Sequence, residues 1–432
     1  MINYSRLGYL LKRGILNFSE KVCKGLKKPI FKLICNMLYG ISESGSCHLS
    51  KISRALKEDI TLKKTIERLS RGLDNFSDGE VLLNNYNNIV KPFVDNRTIF
   101  IVDGSDVTKP CSKVLEGLTT VRDGSSGKME KGYSTLEIAA LTNDHKAPIS
   151  VYDRLYSTIE KGFISEDDEV LKGLKYLTHQ FGNKGIRTLD RGYDGLTYYK
   201  YFLKNHENFV IRAKKDRNVC YKGKTYNILE VAKLFKGKYR MDFITKDAKK
   251  VECKISIIPI SLPKYPGGEL NLVVVYGFGK EPMLLLTNLK SDDKSLAKVI
   301  TKVYLMRWRI EEHFKFKKQQ FNFEDFRVRS LNSIRNLHRI LTLLSGLISM
   351  MSEKQNESLF VIELISVSKR IYEPQKEKAK KKFMSYAIAD GIFAVLNKSI
   401  AGIKAFISPP NFNNTNQLSL FSRKNKIKNG ET

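Results

Sequence analysis

Cysteine, histidine and tryptophan are scarce in this chain, and acids are heavily outnumbered. The six cysteines (Cys23, Cys35, Cys47, Cys111, Cys220, Cys253) are scattered without a CxxC pair, and the six histidines are equally dispersed. Neither a zinc site nor a disulfide framework is expected, and a reducing cytosol is the fitting compartment. Long apolar runs are missing too. The richest, Ile340 to Met351, is broken by Thr342, Ser345, Gly346 and Ser349, far from the roughly 20 apolar residues of a spanning helix. The first residues, MINYSRLGYLLKRGILNF, hold no continuous apolar segment or small-residue cleavage site, so no signal peptide is expected. Asp and Glu number 45 against 75 Lys and Arg, a net charge of +30 over 432 residues. Such self-repulsion calls for a polyanionic partner, nucleic acid before an anionic membrane surface. With 42% hydrophobic residues, the chain is not a disordered polyelectrolyte.

The pattern divides the chain into stretches. Residues 1–90 read as helical and basic. Within them, Leu49, Ile52, Leu56 and then Leu62, Ile66, Leu69, Leu73 have helical spacing, with a break near Asp59–Thr61. Two such helices suit a helix-turn-helix DNA contact, but an ordinary helical hairpin with a solvated basic face is the commoner outcome. Residues 91–215 change to α/β character. TIFIVDGSD (98–106) and IRTLD (186–190) are short apolar strands ending in an acid, with STLEIAALTND and APISVYDRLYS as strands between. Residues 216–290 are β-rich and read as an inserted subdomain. Helices follow, first in 291–350 and then in 351–408, and residues 409–432 form a polar, basic tail expected to be disordered.

Asp103 and Asp190 therefore sit where apolar strands run out, and the carboxyl ends of strands are where reacting groups gather in α/β sheets. Two neighbouring carboxylates make a hard-oxygen pocket suited to Mg²⁺ or Mn²⁺. Any single Asp is more often a turn or a cap, so the pair needs a third member. Val303–Gln319 supplies a candidate. On one helix, at about 100° per residue, Tyr304, Arg307, Glu311 and Lys318 share a narrow stripe, while Glu312 points elsewhere. Val303, Ile310 and Phe314 would dock the helix on the sheet. Glu311 would complete the acidic site, with Arg307 and Lys318 as phosphate clamps. A solvated face of Glu–Lys pairs fits the same spacing equally well.

The spacing Tyr304-x2-Arg307-x3-Glu311-x6-Lys318 resembles the YREK signature of bacterial insertion-sequence transposases of the DDE group, specifically insertion-sequence family four. IVDGSD resembles the family's first-acid segment and LDRGYD (189–194) its second. The resemblance implies an RNase H-like mixed-sheet core with a β-rich insertion, flanked by helical regions at both ends. It implies Asp103, Asp190 and Glu311 as a catalytic and metal-binding triad holding two Mg²⁺ or Mn²⁺ ions. It also implies DNA contacts from Tyr304, Arg307, Lys318, Arg191 and Arg212. The partners would be double-stranded DNA, as terminal inverted repeats and target, and a second copy in a homodimer. The protein would then reside in the bacterial cytoplasm with the nucleoid. Residues 1–90 would read the element ends, and 351–408 would carry the dimer contact.

The chain also departs from that pattern. Its single Trp, Trp308, lies inside the signature, so a base flipped beside a hairpin would stack on Tyr265, Tyr276 or Phe278. Asp106 and Asp194 compete with Asp103 and Asp190. Asp103 is favoured as the strand-end residue, with Asp106 placed in the loop. Two other readings stay open: a catalytically silent DNA-binding inhibitor, and an RNase H-like nuclease that does not join strands.

Overall fold

The computed structural model describes residues 2–404 apart from 125, 143–146, 245–249, 291–293, 355 and 373–383. The expected tail, 409–432, lies outside the described residues. The chain divides into two compact units. One comprises residues 1–85 and 319–432, the other residues 86–318.

The first unit opens with helices α1 (Tyr4–Val22), α2 (Lys28–Ser44), α3 (Leu49–Ala55) and α4 (Leu62–Asp74), and α5 (Gly79–Val90) leads out of it. The gap between α3 and α4 contains the expected break, and Thr61 precedes the first turn of α4. Only Thr65, Leu69 and Leu73 of α4 are buried, so its cationic residues lie on the solvent side.

The second unit is built on one sheet. Strand β1 (Ile99–Thr108) pairs antiparallel with β3 (Met129–Leu141), which carries both the short β2 (Thr119–Arg122) and β4 (Ile149–Tyr156) on its other edge. Helix α6 (Glu166–Phe181) then crosses to β5 (Ile186–Leu189), and α7 (Leu196–Lys204) crosses to β6 (Asn208–Arg212). Both strands run parallel to β1. The order β4-β3-β1-β5-β6, three antiparallel strands followed by two parallel ones across helices, is RNase H-like topology.

The β-rich segment read as an insertion does not stand apart from this sheet. It forms β7 (Asn218–Tyr221), β8 (Lys224–Asn227), the short α8 (Ile228–Leu234), β9 (Tyr239–Ile244), β10 (Lys250–Leu262), β11 (Tyr265–Tyr276) and β12 (Met283–Thr287). Because β12 pairs with β6, these strands extend the same sheet to 12 strands. Helix α9 (Lys294–Leu305) returns over one face. Its Ala297, Ile300, Val303 and Tyr304 pack on Ile99, Ile101, Ala139, Ile186, Val210 and Leu285. Side chains alternate along a strand, so this contact fixes which face each later residue takes.

The signature stretch is not one helix. A 3₁₀ turn, Met306–Trp308, separates α9 from α10 (Arg309–Gln320). The turn resets the angular phase, so a single 100° step does not run through all four signature residues. Back in the first unit follow α11 (Leu331–Glu353), α12 (Leu359–Tyr372) and α13 (Met384–Asn397). Helix α11 is buried along most of its length. No described helix is long and apolar enough to cross a membrane.

Candidate active site

Strand register brings the first two acids together. The parallel pairing of β1 with β5 ends at Val102 and Leu189, and the next residues are Asp103 and Asp190. Pairing of β5 with β6 ends at Leu189 and Ile211, and the next residues are Asp190 and Arg212. Asp103, Asp190 and Arg212 thus follow one another across three adjacent strands. All three share parity with Ile101, Thr188 and Val210, so they point to the face that α9 covers. Strand β1 continues to Thr108 along β3. Asp103 is therefore mid-strand on one side and at an open strand end on the other. Asp106, expected in a loop, is on the strand.

Glu311, the third of the expected acids, lies on α10. Arg307 Nη1 donates to Asp103 Oδ2 at 2.7 Å, and Arg307 Nη2 donates to Glu311 Oε1 at 2.6 Å. The guanidinium bridges the strand acid and the helix acid. Burial works against its charge, but Asp103, Tyr304 and Glu311 more than restore it, so Arg307 is held protonated even more firmly than usual. Tyr304 itself packs in the core beneath α9. Lys318 Nζ lies 3.1 Å from Asp106 Oδ2. Arg191 is exposed beside Asp190, and Arg212 is half-buried.

Asp103 is electrostatically crowded. Burial pushes its carboxyl up to about 7; Arg307 pulls it down, Asp190 pushes it up, the Gly104 N–H lowers it, and Glu311 raises it again. Asp190 accepts from the Gly192 N–H at 2.7 Å, which holds its extended conformation at the head of a 3₁₀ turn. Tyr193, in that turn, is raised well above the ordinary phenol range by burial and then by Asp103 and Asp190, so it stays a neutral donor beside both acids. Asp194 is buried. It takes Arg217 Nε at 2.5 Å, the Tyr199 hydroxyl at 2.6 Å and the Lys214 N–H at 2.7 Å. Its oxygens are committed to holding the β6–β7 link, whereas the Asp190 carboxylate, among the described residues, accepts only from the Gly192 N–H.

The residue pattern did not point to Glu137. It lies directly opposite Asp103 in the β1–β3 register and opposite Asp153 in β3–β4. Cross-strand partners share a face, so Glu137 belongs to the same surface as Asp103. It is 1% exposed, with Lys317 Nζ at 2.5 Å, Ser150 Oγ at 2.9 Å and His313 Nε2 at 3.2 Å. The available signal was an acid at the parity of Ala139 and Leu141, both core residues.

Among the described residues, no three of His, Cys, Asp and Glu are close enough to hold a metal ion as placed; Arg307 stands between Asp103 and Glu311. The donor chemistry nevertheless fits a divalent cation. The oxygens are hard, and the buried Asp103 carries two neighbouring negative charges that a cation would offset.

Residues 95–345 match the family described as the transposase DDE domain, more than half of the chain. The chain belongs to the DDE transposase family. The transposase is an enzyme of DNA strand cleavage and transfer, and such domains work with divalent metal ions. It is also similar to a solved piggyBac transposase synaptic complex with hairpin DNA. That likeness covers 96% of this chain and 83% of the other, at 9% identity and a TM-score of 0.43, too distant to carry any argument. No curated protein matches the sequence.

Proposed function

We propose that this transposase mobilises a bacterial insertion sequence and that Asp103, Asp190 and Glu311 are its catalytic acids. The observation that carries the reading is the approach of the three. Two acids follow the last paired residues of adjacent parallel strands, and the third reaches Asp103 through Arg307. These acids would hold two Mg²⁺ or Mn²⁺ ions, which supply a deprotonated nucleophile and stabilise the departing 3′-oxygen in an in-line displacement. The rest is work for this chain's own side chains. Arg307 exchanges Asp103 and Glu311 for a DNA phosphate, and its planar fork suits that task. Lys318, Arg191 and Arg212 supply further phosphate contacts around the acids, and the Tyr304 side chain backs Arg307. Tyr193 presents a neutral hydroxyl where charge develops.

In this reading the first helices, with the cationic face of α4, read the terminal inverted repeats, and a homodimer forms through residues 351–408. The route is cut-and-paste through a hairpin. Tyr276 donates its hydroxyl to Ala232 O and Phe278 packs near Phe243, which leaves Tyr265 as the favoured stacking aromatic.

The test is incubation of the full chain with the DNA ends that flank its coding region, with Mg²⁺. Hairpin and joined products are expected. Hydrolysed ends alone would make it a nuclease, and end binding without cleavage an inhibitor. Asp103→Asn, Asp190→Asn and Glu311→Gln each lower cleavage at least a thousandfold. Glu312→Ala, whose carboxylate pairs with Lys315 instead, cuts normally. A cutting Glu311→Gln variant would mean that the third acid lies elsewhere.

A further inference from the structure

The stripe of α10 that faces the sheet is chemically odd. Ile310, His313, Phe316 and Lys317 are its buried residues, and two of the four are polar. Lys317 is 3% exposed at its side chain. An ammonium that deep survives only with a partner, and Glu137 provides it.

We infer that Glu137, His313 and Lys317 form a buried polar clamp that sets the rotation of α10 and so aims Glu311 at the two strand acids. This rests on the reading of Glu311 as the third acid. Three features carry it. The 3₁₀ turn at Met306–Trp308 interrupts the helix, so the grip of α9 does not carry into α10, which adds only Ile310 and the partly buried Phe314 to that apolar cluster. Apolar packing is non-directional. The bond from Lys317 Nζ to Glu137 Oε1, at 2.5 Å, is charge-assisted and directional, whereas His313 Nε2 lies 3.2 Å from the other oxygen without hydrogen-bond geometry and contributes proximity alone. The anchor is also well placed, because Glu137 is the cross-strand neighbour of Asp103. The clamp therefore ties the helix bearing one acid to the strand beside another. A turn of α10 by about 20° would move a side chain at its surface by roughly 2 Å, from the helix radius, and misplacement on this scale costs orders of magnitude in rate. Glu137, His313 and Lys317 are positioning residues here, because they act through Glu311.

The experiment measures Mn²⁺ affinity of the full-length protein by electron paramagnetic resonance, alongside cleavage of the ends. The variant is Glu137→Met with Lys317→Met, since replacing both partners by apolar groups leaves no unpaired buried charge. Glu137→Gln is a milder second variant that keeps the shape. The double Met variant should weaken Mn²⁺ binding at least tenfold, as Glu311→Gln does, and the two together should lose no more than Glu311→Gln alone. Glu137→Gln should show the same non-additive pattern with a smaller loss. Unchanged Mn²⁺ affinity in the double Met variant, or losses that add to that of Glu311→Gln, would overturn the clamp. If Glu311→Gln itself leaves both Mn²⁺ binding and cleavage intact, the reading of the third acid fails instead.

Discussion

Arg307 donates to Asp103 across more than half of the second unit's sequence, at 2.7 Å, from the turn that splits the signature into two helices. The same guanidinium holds Glu311. A phosphate that binds Arg307 must therefore compete with both acids. Arg307→Ala should weaken binding of a pre-cleaved end about tenfold and make the salt dependence shallower by about one ion. Fluorescence anisotropy between low and moderate salt measures both. An unchanged slope removes Arg307 from the phosphate contacts.

The crowding of Asp103 has a consequence for stability. Its carboxyl stands at about 7 in the folded chain against an ordinary value of 3.8. A group raised on folding contributes stability below its unfolded value and loses it as pH climbs through the folded one. The folded wild type is thus penalised progressively between about pH 4 and pH 7, by an amount on the order of 4 kcal/mol. Asp103→Asn mimics the neutral acid. Thermal melts without metal should show it more stable than wild type at pH 8, with the gap closing towards pH 4. A gap that is constant with pH would mean that Asp103 is not strained by ionisation.

Asp190 and Asp194 lie in the same short motif and should respond oppositely. Asp194→Ala leaves the half-buried Arg217 without its carboxylate and the Tyr199 hydroxyl without its acceptor, which should cost about 3 kcal/mol, the lower end for a broken buried pair. Asp190→Asn should leave stability within about 1 kcal/mol, as expected for a half-exposed side chain away from the core, while abolishing cleavage. Urea unfolding of the two variants distinguishes them, and equal destabilisation would reverse the assignment of the second acid.

Gly185 enters β5 with a φ of +76°, and an added Cβ would sit 2.5 Å from Thr98 O and 2.9 Å from the Phe100 ring. Gly185→Ala should destabilise the protein by about 1–3 kcal/mol, through strain at positive φ and overpacking. It should also slow cleavage, since β5 delivers Asp190. Full activity at wild-type stability would show that the β1–β5 junction is looser than drawn.

The strand-end position of Asp190, and of Asp103 towards β5, was legible because a short apolar run ending in an acid is a local signal, whereas the continuation of β1 through Asp106 to Thr108 along β3 was not. The order of strands and crossing helices was legible for the same reason. The pairing of β12 with β6 was not, since register between strands distant in sequence leaves no mark on periodicity, and the β-rich segment read as a separate insertion. The break at Met306–Trp308 was hidden because a 3₁₀ turn carries no special residue here, so one continuous phase was drawn through Tyr304 and Lys318. Glu137 was not legible because its partners, Lys317 and His313, lie on a helix far along the chain.

The single sheet also orders events during synthesis. Asp103 and Asp190 emerge early, but the helix bearing Glu311 follows only after every strand of the sheet has left the ribosome. A nascent chain stalled between β5 and that helix holds Asp103 and Asp190 without Glu311. The three acids can meet only when the sheet that carries two of them is already complete.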